Sequence, residues 1–317
     1  MTANKKLLRA SVVQTCTQEY SVQKTLDKLE SLVRVAKDRD SSQLAVFPEA
    51  FIGGYPKHST FGAVVGERSP EGRDEFLRYH SNAIEIPSPE VSRIEVISRD
   101  TGVFLVVGVI ERDGGTLYCS VIFVDPVHGY LAKHRKLVPT GSERLIWGQG
   151  DGTTMPVVGK TFSVKDQGEL QTKMSTAICW ENYMPLFRQY YYNHGVTIYT
   201  APTVDARPVW QNTMVHIALE GRCFVLSANQ FAQEKHYPAD HAVRNPEERH
   251  EDNVMIGGGS MIVSPLGEIL AGPLRGEEGV LTATLDLDDV VRGKFDLDVA
   301  GHYARPDVFT FTANTSG

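Results

Sequence analysis

The chain has 317 residues, 41% of them hydrophobic and 22% charged, an ordinary globular balance with length enough for one large domain or two small ones. A formal net charge of −7 argues against nucleic acid or an anionic membrane surface as a partner. The longest strongly apolar run, Val103–Ile110, is far too short to cross a bilayer. The N-terminus shows no apolar core of a secretory signal. Cys16, Cys119, Cys179 and Cys223 are widely spaced with no CxxC pair, which predicts reduced thiols in a cytoplasmic protein rather than a disulfide framework.

Strand-like and helical runs alternate along the chain. Leu7–Gln14 reads as a buried strand, and Val22, Leu26, Leu29, Leu32, Val33 and Ala36 keep helical spacing. Gln43–Phe47 is a short strand ending in Pro48-Glu49. Pro89–Thr101 is a helix with Ser88 as N-cap and Pro89 at its first position. Val103–Ile110 and Leu117–Asp125 flank Asp113-Gly114-Gly115, a hairpin signal, and Tyr130–Arg135 continues the sheet. The second half repeats the order: strand 173–178, helix 184–194, strand Val196–Thr200, helix 209–221 and strand Cys223–Gln230. Gly258–Ser264 and Gly279–Leu285 close it, with a turn at Pro265–Gly267. Two halves that both run strand, helix, strand predict a single α/β domain with mixed sheets and outer helices. Residues 233–256, rich in charge, His and Pro, are predicted to form a mobile loop, and the tail after Asp289 shows little periodicity.

Three residues stand where chemistry is placed in α/β proteins. Cys179 closes the apolar run from Lys173 and is followed at once by Trp180-Glu181-Asn182. A cysteine between a strand and a helix sits at a helix N-terminus, where the thiol is expected to lean toward thiolate. Glu49 follows a strand at the sheet edge, and Lys136 ends another, facing opposite to Lys133 and Arg135, which read as a surface patch. Singly, each has a bland reading: a buried small hydrophobe, a solvated acid, a surface base. Together they give a nucleophile, a base for its proton in Glu49, and a cation for developing negative charge in Lys136. The Trp180 backbone N–H is a second candidate donor to that charge.

This constellation resembles the nitrilase superfamily of carbon–nitrogen hydrolases over residues 7–310. The family's catalytic Glu, Lys and Cys fall on Glu49 in Phe47-Pro-Glu-Ala-Phe51, Lys136 in His134-Arg-Lys-Leu137 and Cys179 in Cys179-Trp-Glu-Asn182. A second family glutamate matches Glu143. Trp180, the run Ile146–Gly152 and the run Gly301–Asp307 are similar to the true nitrilase branch, and Gly53–Pro56, His134–Leu137 and Gly221–Ser227 to plant and fungal nitrilases. Cyanide-hydrolysing relatives tend to carry His where this chain has Asn182, which ranks organic nitriles above cyanide.

The resemblance implies an αββα sandwich of two mixed sheets, with residues 7–288 as the hydrolase domain and 289–317 as a tail that serves an oligomer contact. It implies a homodimer or larger spiral homo-oligomer, no metal and no organic cofactor. It also implies nitrile hydrolysis to acid and ammonia through a Cys179 thioimidate and thioester, with Glu143 positioning Lys136 or the substrate. Tyr55, Thr140, Trp180 and the stretch from Thr203 to Arg207 are expected to line the substrate pocket, and the flat walls of Tyr55 and Trp180 suit aromatic or arylaliphatic nitriles. Alternatives are an amidase, an amide-forming hydratase that includes 3-cyanoalanine among its substrates, or a non-catalytic assembly protein.

Other signals carry less. Gly148–Gly152 lacks the spacing of a phosphate loop, and His236, His241 and His250 are expected to be solvated rather than metal-binding. Tyr190-Tyr-Tyr192 fits either core or subunit interface. Cys16, Cys119 and Cys223 read as buried strand residues, and the sequon at Asn314 is not met by glycosylation machinery in a cytoplasmic tail.

Overall fold

The computed structural model describes residues 5–165 and 167–316. The first half contributes β1 (Leu7–Gln14), α1 (Val22–Asp38), β2 (Leu44–Val46), α2 (Pro70–Ser81), α3 (Pro89–Thr101), β3 (Phe104–Asp113), β4 (Thr116–Asp125) and β5 (Gly129–Arg135). The second contributes β6 (Val158–Val164), β7 (Gly168–Thr176), α4 (Pro185–Asn193), β8 (Ile198–Thr200), α5 (Val209–Gly221) and β9 (Phe224–Ser227). It ends with β10 (Phe231–Gln233), β11 (Val254–Val263), β12 (Ile269–Arg275), β13 (Gly279–Asp286) and α6 (Asp288–Asp296).

Two mixed sheets result. One has the order β13-β1-β2-β3-β4-β5, the other β10-β11-β9-β8-β7-β6 with β12 against β11. The inner strands of each, β1-β2-β3 and β7-β8-β9, are parallel, as the repeated strand-helix-strand order requires.

Side-chain alternation sorts the apolar residues into layers. Val12, Val46, Val106 and Val121 from the first sheet meet Met174, Ile198, Phe224 and Ile262 from the second in the central core. Their neighbours Val13, Ala45, Leu105 and Ile122 face outward and pack against Leu26, Leu29, Ile94 and Ile97 of α1 and α3. Tyr199, Val225 and Met261 do the same against Phe187, Met214 and Ile217 of α4 and α5. The sandwich is thus αββα, as the resemblance implies.

Several local expectations hold in detail. Ser88 accepts from the Val91 N–H at 3.3 Å, and α3 ends on left-handed Gly102. Others need correction. The tail is not aperiodic from its start, because α6 runs through Asp288 and buries Val290. Segment 233–256 holds β10's end, two 3-10 turns and a buried Glu234 that accepts from Asn253 Nδ2 at 3.1 Å and His250 N at 3.2 Å. His236 and His241 are buried, against the expectation of solvated side chains, while His250 is exposed. The His241 ring stacks on Tyr237 at 4.4 Å, and burial pushes its pKa down to about 4. Tyr191 and Tyr192 are core residues. Lys133 and Arg135 are not a loose basic patch: both pair with the buried carboxylate of Glu111.

No helix among the described residues is long and apolar enough to cross a membrane. All four cysteines are buried and unpaired; Cys119 lies in β4, whereas Cys16 and Cys223 flank strands rather than sit in them.

Candidate active site

The site lies between the two sheets, where loops after β2, β5, β7 and β8 converge. Glu49 follows β2 in a tight turn that passes over β3. Gly108 makes room for it, because a Cβ there would lie 2.0 Å from the Pro48 carbonyl oxygen. Lys136 directly follows β5, its N–H bonded to Cys119 O at 2.8 Å, and its carbonyl accepts from Gly150 N at 2.8 Å. The run Ile146–Gly152 therefore props the lysine strand rather than cradling a phosphate, with the Trp147 ring 5.6 Å from Lys136 Nζ.

Lys136 Nζ donates to Glu49 Oε1 at 2.7 Å and to Glu143 Oε2 at 2.8 Å, and all three side chains are buried. Glu143 is held in turn by the Thr140 N–H at 2.6 Å and the Tyr55 hydroxyl at 2.9 Å. Glu49 Oε2 accepts from the Val204 N–H at 3.1 Å, and the Cys119 thiol donates to Oε1 at 3.6 Å. Burial raises the Glu49 pKa despite the opposing charge of Lys136. Burial works against the charged ammonium of Lys136, but the charges of Glu49 and Glu143 hold its pKa well above the ordinary value.

Cys179 opens a five-residue 3-10 turn, Cys179–Tyr183, and α4 begins only at Pro185. Its backbone is left-handed, φ +52°, a conformation that costs about 1–3 kcal/mol for a non-glycine residue and persists where neighbours fix it. Those neighbours are Pro202 O, which accepts the Cys179 N–H at 2.9 Å, and Asn182 Nδ2, which donates to Cys179 O at 2.8 Å. Glu49 and Thr203 are the side chains that act on the thiol from its surroundings. The expected lean toward thiolate is overturned. Burial first, then the Glu49 charge, push the Cys179 pKa far up, and Lys136 only partly offsets them. The resting group is a thiol that must lose its proton as it attacks.

A cavity of about 460 Å³ opens above Cys179, lined among others by Tyr55, Thr140, Trp180, Arg207 and Ile256. Thr203 is not on this wall. It is fully buried, and its hydroxyl accepts from the Asp205 N–H at 2.9 Å. Trp180 is 43% exposed and fixed on two sides: its Nε1 donates to Asp205 Oδ2 at 2.9 Å, and the Arg207 guanidinium lies 4.8 Å from its ring. A larger groove of about 750 Å³, lined by Phe61, Val64, Phe76 and Leu145, contains no cysteine, histidine or lysine.

Sequence reading misses three contributors. Cys119 reads only as a strand residue, because its partner Glu49 lies 70 positions away. Asp205 and Arg207 fall in the stretch expected to line the pocket and do line it, and their hold on the Trp180 ring comes from contacts that no motif announces. His134 and Glu181, each two residues from a catalytic candidate, form a buried pair at 3.0 Å. Their closeness to Lys136 and Cys179 in the sequence was the available signal.

Among the described residues, ligand atoms of Cys16, His236 and Glu278 lie within 4.8 Å of one another. Lys28 Nζ, 2.5 Å from Glu278 Oε1, already neutralises that carboxylate. Burial also pushes the Cys16 thiol up to about 12, and His236 Nδ1 accepts from the Gln233 N–H at 3.0 Å. This is an ion-paired cluster rather than a cation site.

The chain matches the carbon-nitrogen hydrolase family over residues 9–295. It is 70% identical over 306 residues to an arylacetonitrilase of Trametes versicolor (strain FP-101664), covering 96% of each chain. It is 50% identical to the bifunctional nitrilase/nitrile hydratase NIT4B of Nicotiana tabacum, covering 96% of this chain and 85% of that one. Among solved structures, an amidase from Nesterenkonia sp. superposes with a TM-score of 0.63 at 20% identity, covering 92% of this chain and 96% of the other, a likeness of fold. The chain belongs to the carbon-nitrogen hydrolase family, within its nitrilase branch.

Proposed function

We propose that the protein hydrolyses organic nitriles, with arylacetonitriles as the favoured class, to the carboxylic acid and ammonia. The observation that carries the reading is the buried Glu49–Lys136–Glu143 cluster within reach of a strained Cys179 at the floor of an open cavity. Glu49 takes the Cys179 proton as sulfur attacks the nitrile carbon, and the nitrogen is protonated to a thioimidate. Glu49 next draws a proton from water, which adds to that carbon. Lys136 stabilises the tetrahedral species, the nitrogen leaves as ammonia, and a thioester remains. A second water, activated the same way, releases the acid and restores the thiol. Glu143 holds Lys136 in place.

Tyr55, Thr140 and Trp180 form the substrate walls in this reading, and Thr203 serves the thiol instead. Exposed Leu186, Phe295 and Phe309 support self-association through the helices and the tail, and four unpaired buried thiols support a cytoplasmic setting.

The test is ammonia release from phenylacetonitrile, mandelonitrile, benzonitrile, 3-cyanoalanine and cyanide, with acid and amide both quantified. Phenylacetonitrile or mandelonitrile giving mainly acid is the expected result. Mainly amide from 3-cyanoalanine would favour the hydratase alternative, and no product from any nitrile would sink the proposal. Within it, Arg207→Ala removes one support of the Trp180 wall. A partly exposed cation–π contact is worth about 0.5–1 kcal/mol, so KM for phenylacetonitrile should rise about 2–5-fold. KM for a straight-chain nitrile should stay put. Equal rises for both substrates would show that the indole does not read the aryl group.

A further inference from the structure

We propose that His134 and Glu181 act as a protonated positioning pair that fixes Lys136 and Cys179 relative to each other across the two sheets. Neither residue lines the cavity, so neither is placed to touch substrate.

The geometry is specific. Glu181 Oε1 accepts the N–H of Leu137, the residue after the lysine, at 2.6 Å. Oε2 accepts the N–H of Ile178, the residue before the nucleophile, at 2.8 Å. One carboxylate thus ties the end of β5 in the first sheet to the turn after β7 in the second. Both carboxylate oxygens also face His134 Nε2, at 3.2 and 3.0 Å, while His134 Nδ1 lies 2.6 Å from the Thr154 carbonyl oxygen.

Hydrogen-bond chemistry then assigns the proton. A backbone carbonyl only accepts, so Nδ1 carries a hydrogen. Both oxygens of Glu181 accept backbone N–H groups, as an ionised carboxylate does, so the donor assigned between the two is Nε2. A ring that donates from both nitrogens is an imidazolium. Thr154, Phe187 and Glu181 face it from three elements, and Glu181 supplies the charge that balances it. Burial works against the charged ring, but the Glu181 charge, its hydrogen bonds and the Thr154 carbonyl together raise the His134 pKa. The sign follows: the pair's stabilisation is full below the ordinary histidine range near pH 6.5 and is lost as pH rises through the raised folded value.

The pair matters because reacting groups misplaced by an ångström cost about 10²-fold in rate. Without the imidazolium, Glu181 keeps an unbalanced buried charge and loses the partner that orients it.

Three variants test the inference: His134→Asn, which can still reach Thr154 but not Glu181; His134→Gln, which can reach Glu181; and Glu181→Gln. In each, nitrile kcat and KM are measured beside the rate of Cys179 alkylation by iodoacetamide, read on the Cys179 peptide, with circular dichroism as a check on folding. The expected result is a fall in kcat of about 10–100-fold with KM within about 3-fold for His134→Asn and Glu181→Gln. Alkylation should slow in parallel, and His134→Gln should recover part of both rates. Folded His134→Asn with kcat and alkylation within about 2-fold of wild type overturns the inference, as does a loss carried by KM alone. If Glu181→Gln does not fold, the two His134 variants decide. The inference takes its reaction from the proposed function, but alkylation needs no nitrile. Alkylation that slows as expected beside a wild type inert on every nitrile would support the pair and count against the nitrile reading alone.

Discussion

Cys179→Ala lowers nitrile turnover by at least about 10⁴-fold and leaves the fold in place. The sulfur is the only atom removed, and it forms the bond on which both half-reactions depend. Glu49, Lys136 and Glu143 keep one another's hydrogen bonds without it, so nothing charged is stranded. The loss of one small buried group costs about 1 kcal/mol, and alanine takes the left-handed backbone no worse than cysteine. Ammonia release and a thermal melt on the same preparation separate the two effects. Residual turnover above about 1% of wild type would point to another nucleophile, and Cys119, bonded to Glu49, would be the first to examine.

Lys136→Met damages both rate and stability. The methionine fills much of the lysine's volume but leaves Glu49 and Glu143 buried without their shared cation. Breaking a buried pair from one side costs about 3–5 kcal/mol. The remaining carboxylates repel, and Glu49, already raised by burial, is driven further toward its protonated form. A protonated Glu49 cannot take the thiol proton, so kcat is expected to fall at least about 10³-fold. Adding Glu49→Gln to this variant should return part of the lost stability, read by denaturant titration, and none of the activity. A single Lys136→Met protein as stable as wild type would mean that the two carboxylates rest with a shared proton rather than on the ammonium.

Much of this arrangement was legible in the sequence. The residues of β1, α3, β4 and α5 announce themselves through unbroken apolar runs, helical spacing and caps such as Ser88. The nucleophile, acid and cation stand at strand ends, where the order of elements alone places a site. What escaped was written in contacts between distant segments. β6 alternates too weakly, with exposed Gly159 and Thr161, to stand out from a loop until β7 pairs with it. α2 has its signal, Ser69 before Pro70, but its face is so polar that it is anchored mainly through Tyr79, whose hydroxyl bonds to Gly54 O at 2.8 Å. His241 reads as solvated because its neighbours are charged, yet Tyr20 comes from the far N-terminal end of the chain to cover it together with nearby Tyr237. The Cys179 thiol was misjudged for the same reason. Local backbone favours an anion there, but burial reverses the preference once the sheets pack, and the Glu49 charge that adds to it comes from the other sheet.

Glu49 hangs from the first sheet, yet its outer oxygen is held by Val204 and its carbonyl by Gln230, both from the second. A chain that built each layer faultlessly but seated one slightly askew on the other would retain every motif and transform nothing. Turnover therefore reads out the registry between layers, a property that neither half of the chain possesses alone.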